Sequence, residues 1–68
     1  MDSMDQVGKR LKKARIQAKL TQAEVAQKIE VHVNYYARIE RGEVTPSLDT
    51  LKALVKALKV KSSDILPF

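Results

Sequence analysis

Apolar residues recur every three or four positions along most of this sequence, and one short stretch departs from that helical spacing. In residues 29–33 (IEVHV), apolar and polar residues alternate as they do in a β-strand. The sequence contains no second run of this kind, so a strand here would leave its backbone amides without partners. We therefore interpret residues 30–32 as a tight turn between two helices and predict an all-α fold.

The chain has 68 residues and no cysteine, which allows one small core without disulfides or thiolate-bound metal. The single histidine, His32, has no companion ligands, so we expect neither a metal site nor a cofactor. We find no secretory signal and no run of about 18 apolar residues, and we expect a soluble, intracellular protein that does not cross a membrane. The net charge of +5 favours an anionic partner, although a merely soluble basic protein is equally consistent with it.

The first two predicted helices have clear amphipathic patterns. The first spans about residues 5–18, with lysines and arginines around a narrow apolar stripe that favours packing within a small fold over lying on a membrane. Thr21 and Glu24 form a capping box that predicts the start of the second helix. Leu20, just before the cap, is placed to pack against Val25 as a hydrophobic staple.

The second half of the chain predicts two further helices and a final helical turn. A third helix should span about residues 33–41 and end at Gly42 as the C′ residue. Ser47 is a candidate cap for a fourth helix over residues 48–58, which carries the strongest apolar stripe. A single turn should begin at Ser62. Together these elements predict a compact bundle of about five short helices.

The third helix has one face available to solvent if Tyr36 and Ile39 point inward. Asn34 and Arg38 are four residues apart and lie one above the other on that face. Asparagine can form a bidentate contact with adenine, and arginine with guanine. We expect no carboxylate on this face. Taken alone, the pattern is equally typical of an ordinary polar helix surface.

Several short motifs together resemble the Cro/repressor type of helix-turn-helix domain, which occurs in phage repressors and in restriction–modification controller proteins. They are TQAEVA from residue 21, the small Ala26 at a close helix crossing, IERG at 39–42, and PSLDTL at 46–51. The resemblance implies a lambda repressor-like fold in which residues 1–68 form one DNA-binding domain, with the helix-turn-helix at about 21–41. It also implies that the third helix enters the major groove of double-stranded DNA.

The resemblance also assigns roles to residues. The positions that read bases in the family are Val33, Asn34, Tyr35 and Arg38. The positions that hold phosphates are Gln22, Arg41, Thr45 and Ser47. Arg15 and Glu40 match a structural ion pair between the first and third helices. The chain departs from the family in having His32 in place of Ser or Thr, and Glu30 in place of a turn glycine. A positive φ at Glu30 should cost about 1 kcal/mol.

These features predict a sequence-specific transcription regulator that binds a palindromic operator as a homodimer. The alternative is a protein-interaction module, such as an antitoxin or a coactivator-like subunit. An enzyme is not expected, because no acid/base pair, Ser–His arrangement or Gly-rich phosphate loop is present, and we predict no small-molecule ligand. The predicted dimer interface consists of Leu54, Leu58, Ile65, Leu66 and Phe68. The alternative for these residues is that they close the monomer core.

Overall fold

The computed structural model describes residues 3–66, with side-chain surroundings from residue 6 onward. This part of the chain is helical, without strands, which confirms the predicted all-α fold. The helices are α1 (Ser3–Gln17), α2 (Gln22–Lys28), α3 (Val33–Glu40), α4 (Leu48–Leu58) and α5 (Ser62–Ile65). α1 begins two residues before the predicted start, whereas α4 has the predicted bounds. None of these helices has both the length and the apolar character needed to cross a bilayer.

Of the strand-like residues 29–33, the first four form the turn between α2 and α3, and Val33 begins α3. The Glu30 N–H donates to Gln27 O over 3.2 Å, and the Val31 N–H donates to Ala26 O over 2.9 Å. These are the paired bonds of a Schellman motif, with Glu30 as the left-handed C′ residue at φ 61°. The amides of Glu30 and Val31, which a lone strand would leave unsatisfied, are therefore bonded to the last turn of α2.

Left-handed residues also end three other helices. Lys19 follows α1, Gly42 follows α3 and Lys59 follows α4, with φ of 60°, 76° and 57°. With Glu30, non-glycine residues occupy three of these four positions, each at a cost of about 1 kcal/mol. A shared chain-reversal motif thus closes four helices of a short polypeptide, and only one of the four uses glycine.

The predicted capping box is present at the start of α2. The Thr21 N–H donates to Glu24 Oε1 over 2.8 Å, and the Glu24 N–H donates to Thr21 Oγ1 over 3.1 Å. Leu20 is half-buried and packs against the core cluster, of which Val25 is a fully buried member. These local contacts fix the direction in which the chain enters the helix-turn-helix.

The core lies between the helices and draws on all five of them. Its members are Val7, Leu11, Ala14, Val25, Ala26, Tyr36, Ile39, Leu54, Leu58 and Ile65. α1 crosses α3 at Gly8, where a Cβ atom would lie 2.4 Å from Glu40 O and 2.7 Å from Ile39 O. A larger residue at Gly8 would therefore push α1 away from α3, a constraint that the sequence analysis did not recognise.

The structure corrects the predicted dimer interface. Leu54, Leu58 and Ile65 are 0%, 4% and 1% exposed, so they belong to the monomer core and cannot also present a contact surface. Leu66 is half-buried, and Phe68 lies outside the described residues. The three buried residues belong to the core because α4 packs against α2 and α5, and α5 packs against α1.

An apolar groove remains on the outer side of α4. Leu48 is 63% exposed, and the half-buried Leu51, Val55 and Leu66 line the groove beside it. Lys52, Lys56 and Ser62 complete its lining. The surface left uncovered by the fold is therefore next to the predicted interface residues, but it consists largely of different side chains.

Candidate nucleic-acid interface

α3 presents its polar side to solvent because two large residues anchor its other side. Tyr36 and Ile39 are fully buried. Asn34, Arg38 and Arg41 are exposed, as the helical spacing predicted. This brings one amide and two guanidinium groups to the surface of the second helix of the helix-turn-helix.

The four predicted base-reading positions differ in how far they reach into solvent. Asn34 and Arg38 are exposed, whereas Val33 and Tyr35 are half-buried and pack against the core cluster. Asn34 and Arg38 therefore offer most of the free hydrogen-bonding groups, and Val33 and Tyr35 offer apolar edges at the side of the helix. Their contact with bases remains a prediction.

His32 has a structural role at the start of α3. Its Nδ1 accepts a hydrogen bond from the Asn34 N–H over 3.0 Å, which makes it the N-cap of the helix. Nδ1 must be unprotonated to accept this bond. The family's usual Ser or Thr would satisfy the same first-turn amide through a hydroxyl group. His32 thus caps α3 with an imidazole nitrogen where the family usually uses a hydroxyl group.

A carboxylate lies on the predicted DNA face, contrary to the expectation from the sequence. Arg41 Nε donates to Glu43 Oε2 over 2.6 Å, and Arg38 Nε lies 3.5 Å from Glu43 Oε1. The hydrogen bond from Arg41 holds the pKa of Glu43 below its usual range. The expectation was wrong because it considered residues within α3 alone, whereas Glu43 follows the helix and returns to it.

The predicted phosphate contacts fall into two groups. Arg41 and Thr45 are exposed on the segment at the end of α3. Ser47 is also exposed, but its Oγ accepts from the Thr50 N–H over 3.1 Å and donates to Thr50 Oγ1 over 3.0 Å. It is thus the predicted cap of α4. Contact of these three residues with phosphates remains a prediction.

Gln22, the fourth predicted phosphate contact, is turned partly inward. Its Nε2 donates to Glu40 Oε1 over 2.9 Å, a contact that the sequence analysis missed. The same carboxylate accepts from Arg15 Nε over 2.7 Å and from Arg15 Nη2 over 3.3 Å. The first residue of α2 is therefore linked through Glu40 to both α1 and α3.

Arg15 and Glu40 form the ion pair that the resemblance implied. Their side chains are 12% and 2% exposed, and Arg15 Nη1 also donates to Leu20 O over 3.0 Å. Burial alone would raise the pKa of Glu40, but the hydrogen bonds it receives, from Arg15 above all, outweigh burial and leave the pKa below its ordinary value. The pair is charged and lies mostly within the protein, between the helices that support α3.

Tyr36 places a hydroxyl group in the same interior region. Its Oη is buried and has no hydrogen-bond partner within the described residues. Burial raises the pKa of Tyr36, so the phenol is neutral under ordinary conditions. No group of three or more His, Asp and Glu side chains in the described part of the chain is arranged to hold a metal ion.

Similarity to known proteins supports the same interpretation of the fold. The Helix-turn-helix family matches residues 11–65. An immunity repressor protein of Bacillus phage phi105 is 43% identical over 60 residues, which are 88% of this chain and 42% of that protein. Control protein C.BamHI of Bacillus amyloliquefaciens is 32% identical over 62 residues, covering 90% of this chain and 76% of that protein.

A solved structure extends the comparison to three dimensions. The restriction–modification controller protein C.AhdI from Aeromonas hydrophila superposes with a TM-score of 0.88 at 25% identity, covering 93% of this chain and 96% of that one. The chain spans less than half of the phage repressor but most of the two controller proteins. The resemblance drawn from the sequence is confirmed: the chain belongs to the Helix-turn-helix family, with relatives among phage repressors and restriction–modification controllers.

Proposed function

We propose that this protein is a sequence-specific, double-stranded DNA-binding transcription regulator that inserts α3 into the major groove. The observation that carries the proposal is the exposed pair Asn34 and Arg38 on the second helix of a helix-turn-helix. A net charge of +5 adds a general attraction to the phosphate backbone. The names of the relatives, a repressor and controller proteins, support regulation as the role.

Base recognition would rest on four residues. Arg38 would form bidentate hydrogen bonds with a guanine, and Asn34 with an adenine, because these are the pairings that their geometry favours. Val33 and Tyr35 would add apolar contact, for example with a thymine methyl group. Each bidentate pair is worth about 1–3 kcal/mol of discrimination against the wrong base.

Phosphate contacts would hold α3 in position. Arg41 and Thr45 would bind the backbone beyond the end of α3, together with Ser47 at the start of α4. Gln22 would bind the phosphate on the other side, at the start of α2. Gln22 Nε2 donates to Glu40, which also accepts a hydrogen bond from Arg15. The interior ion pair would therefore orient Gln22 for its phosphate contact. Such contacts fix the register of the helix on DNA but carry no sequence information by themselves.

The regulator would act as a homodimer on a palindromic operator. A single domain of this size buries a modest DNA surface, and a twofold dimer doubles it while fixing two half-sites about 34 Å apart. The groove formed by Leu48, Leu51, Val55 and Leu66 supports a revised interface, since these side chains leave apolar surface in water. Residues 1–68 would form one DNA-binding domain, working in the cytoplasm without an enzymatic activity, a cofactor or a small-molecule ligand.

Selection of bound sequences from a random duplex pool tests the proposal. We expect one enriched motif, arranged as an inverted repeat with half-sites about 10 base pairs apart. Affinity should fall with salt, with a slope of log K against log salt of about −0.9 for each phosphate contacted. A pool that shows no enrichment, with binding insensitive to salt, would refute DNA recognition and favour the protein-interaction alternative.

A further inference from the structure

The end of α3 fixes the place of Glu43. The Gly42 N–H donates to Ile39 O over 3.0 Å, and the Glu43 N–H donates to Arg38 O over 2.9 Å. With the positive φ of Gly42, these bonds form a Schellman motif in which Glu43 is the C″ residue. The backbone bond that closes the helix therefore also holds Glu43 next to Arg38.

The Glu43 carboxylate lies between two guanidinium groups. It accepts from Arg41 Nε at 2.6 Å and from Arg41 Nη2 at 3.3 Å, and Arg38 Nε lies 3.5 Å away. The shortest distance between Arg38 and Glu43 is from Nε, at the base of the guanidinium, which leaves the two terminal nitrogens to form a bidentate contact. In Arg41 two of the three nitrogens face the carboxylate, so fewer donors remain for a phosphate.

These contacts would affect specific and non-specific DNA differently. A random duplex offers phosphates but no guanine placed for Arg38, so binding depends on charge, which Glu43 opposes by occupying Arg41 and by repelling phosphates. A matching site adds a base contact from Arg38, whose side chain Glu43 holds in one direction. The Glu43 carboxylate thus weakens binding to random DNA and supports binding to the matching site.

We propose that Glu43 is a positioning residue that sets the discrimination between the operator and other DNA. The proposal rests on the DNA-binding function proposed above and assigns a specificity role to a residue that does not itself contact a base. Glu43 keeps Arg38 oriented for guanine and limits the capture of phosphates by Arg41.

The test is Glu43→Gln, with affinities measured for the selected operator and for a random duplex across a salt series. Glutamine keeps the length of the side chain and the backbone bond to Arg38, so the fold should be retained. We expect affinity for the random duplex to rise about 3- to 10-fold, with its salt slope steeper by less than about 0.9 because Glu43 no longer limits the contact of Arg41 with phosphates. Operator affinity should stay constant or fall, so the specificity ratio falls by at least about 3-fold.

Glu30→Gln is the matched control. It removes the same charge from another exposed glutamate, one that makes no ion pair within residues 3–66. It should change both affinities by a similar factor and leave the specificity ratio near that of the parent protein. An equal fall of the ratio in Glu30→Gln and Glu43→Gln would overturn the proposal, because general charge would then explain both.

A double-mutant cycle with Arg38→Ala isolates the positioning role. In the Arg38→Ala background there is no Arg38 side chain to position. Glu43→Gln should then change operator affinity only through the loss of its negative charge, and its effect should differ from that in the parent protein. An undiminished effect in the Arg38→Ala background would overturn the proposal, because Glu43 would then act independently of Arg38.

The outcome for the parent protein separates this proposal from the proposed function. A parent protein that binds all duplexes equally would overturn DNA recognition and the role of Glu43 together. A parent protein that prefers its operator, with a preference that Glu43→Gln leaves unchanged, would overturn the role of Glu43 alone.

Discussion

Arg15 in α1 and Glu40 in α3 form an ion pair in which Arg15 Nε donates to Glu40 Oε2 over 2.7 Å. Glu40 is 2% exposed, and its other carboxylate oxygen accepts from Gln22 at the start of α2. One carboxylate therefore links three helices behind the exposed face of α3. The desolvation of both charges offsets much of their attraction, so the pair contributes more to orientation than to stability.

Removing one partner of this pair should be costly, while removing both should not. We expect Glu40→Ala to lower the free energy of unfolding by about 3 kcal/mol, because it leaves the Arg15 guanidinium buried without its partner. Arg15→Met combined with Glu40→Leu should recover most of that loss, since apolar side chains of similar size fill the space. Urea unfolding of the three proteins measures both effects.

A control for Glu40→Ala is Glu43→Ala, which removes an exposed carboxylate from the segment that follows α3. Its stability should stay close to that of the parent protein. If the Arg15→Met and Glu40→Leu double variant were as unstable as Glu40→Ala, the ion pair itself would stabilise the fold.

Acid should destabilise the protein partly through Glu40. The folded-state pKa of Glu40 lies below its ordinary value of 4.5, so the folded state favours the charged carboxylate. Its contribution to stability is complete above the unfolded pKa and is lost as pH falls through the folded pKa. Urea midpoints should thus decline below about pH 4.5. The Arg15→Met and Glu40→Leu double variant should show a shallower decline, and an identical decline in both proteins would contradict this origin.

The buried hydroxyl of Tyr36 offers a separate test of the interior. Its Oη has no hydrogen-bond partner among the residues that the structure describes, so Tyr36→Phe removes a polar group that burial penalises. We expect the free energy of unfolding to stay constant or to rise by about 1 kcal/mol. Tyr36→Leu is the comparison for lost packing and should be destabilising. A loss of about 1 kcal/mol or more in Tyr36→Phe would indicate a hydrogen bond to the nearby charged pair.

Arg38 and Arg41 should differ in what they contribute to DNA binding. Arg38→Ala should cost about 1–3 kcal/mol on the selected operator and little on random DNA, because a base contact is lost. Arg41→Ala is its matched control and should weaken binding to both duplexes by similar factors, with a salt slope shallower by less than about 0.9 because Glu43 already limits the contact of Arg41 with phosphates. Titrations of both variants on both duplexes measure the difference. Equal losses for Arg38→Ala on the two duplexes would make Arg38 a phosphate contact.

The revised dimer interface predicts an effect of Leu48, which is 63% exposed beside the groove. Leu48→Gln should weaken self-association about tenfold or more, because each subunit loses the burial of a leucine side chain. Sedimentation equilibrium measures the dissociation constant. Ile16→Gln changes a comparably exposed residue, 56% exposed on α1 and outside that groove, and should leave the constant unchanged. Similar effects of both substitutions would contradict the assigned interface.

Local sequence patterns were sufficient to predict most helices and their ends. Thr21 and Glu24 cap α2 through contacts three residues apart, and Gly42 ends α3 because glycine readily adopts a positive φ. The inward side of α3 follows from the period of the helix. These features depend on neighbours within about one helical turn, so the sequence contains the information directly.

Tertiary structure determined which residues each helix face contacts. Leu54, Leu58 and Ile65 had the pattern of either a core or an interface, and the packing of α4 on α2 and of α5 on α1 and α4 places them in the core. Gly8 is required by the approach of a helix more than 30 positions away in the chain. Glu43 reached Arg38 and Arg41 through the chain reversal after α3. Periodicity assigns residues to the faces of one helix, whereas distances between helices arise only when the whole chain packs.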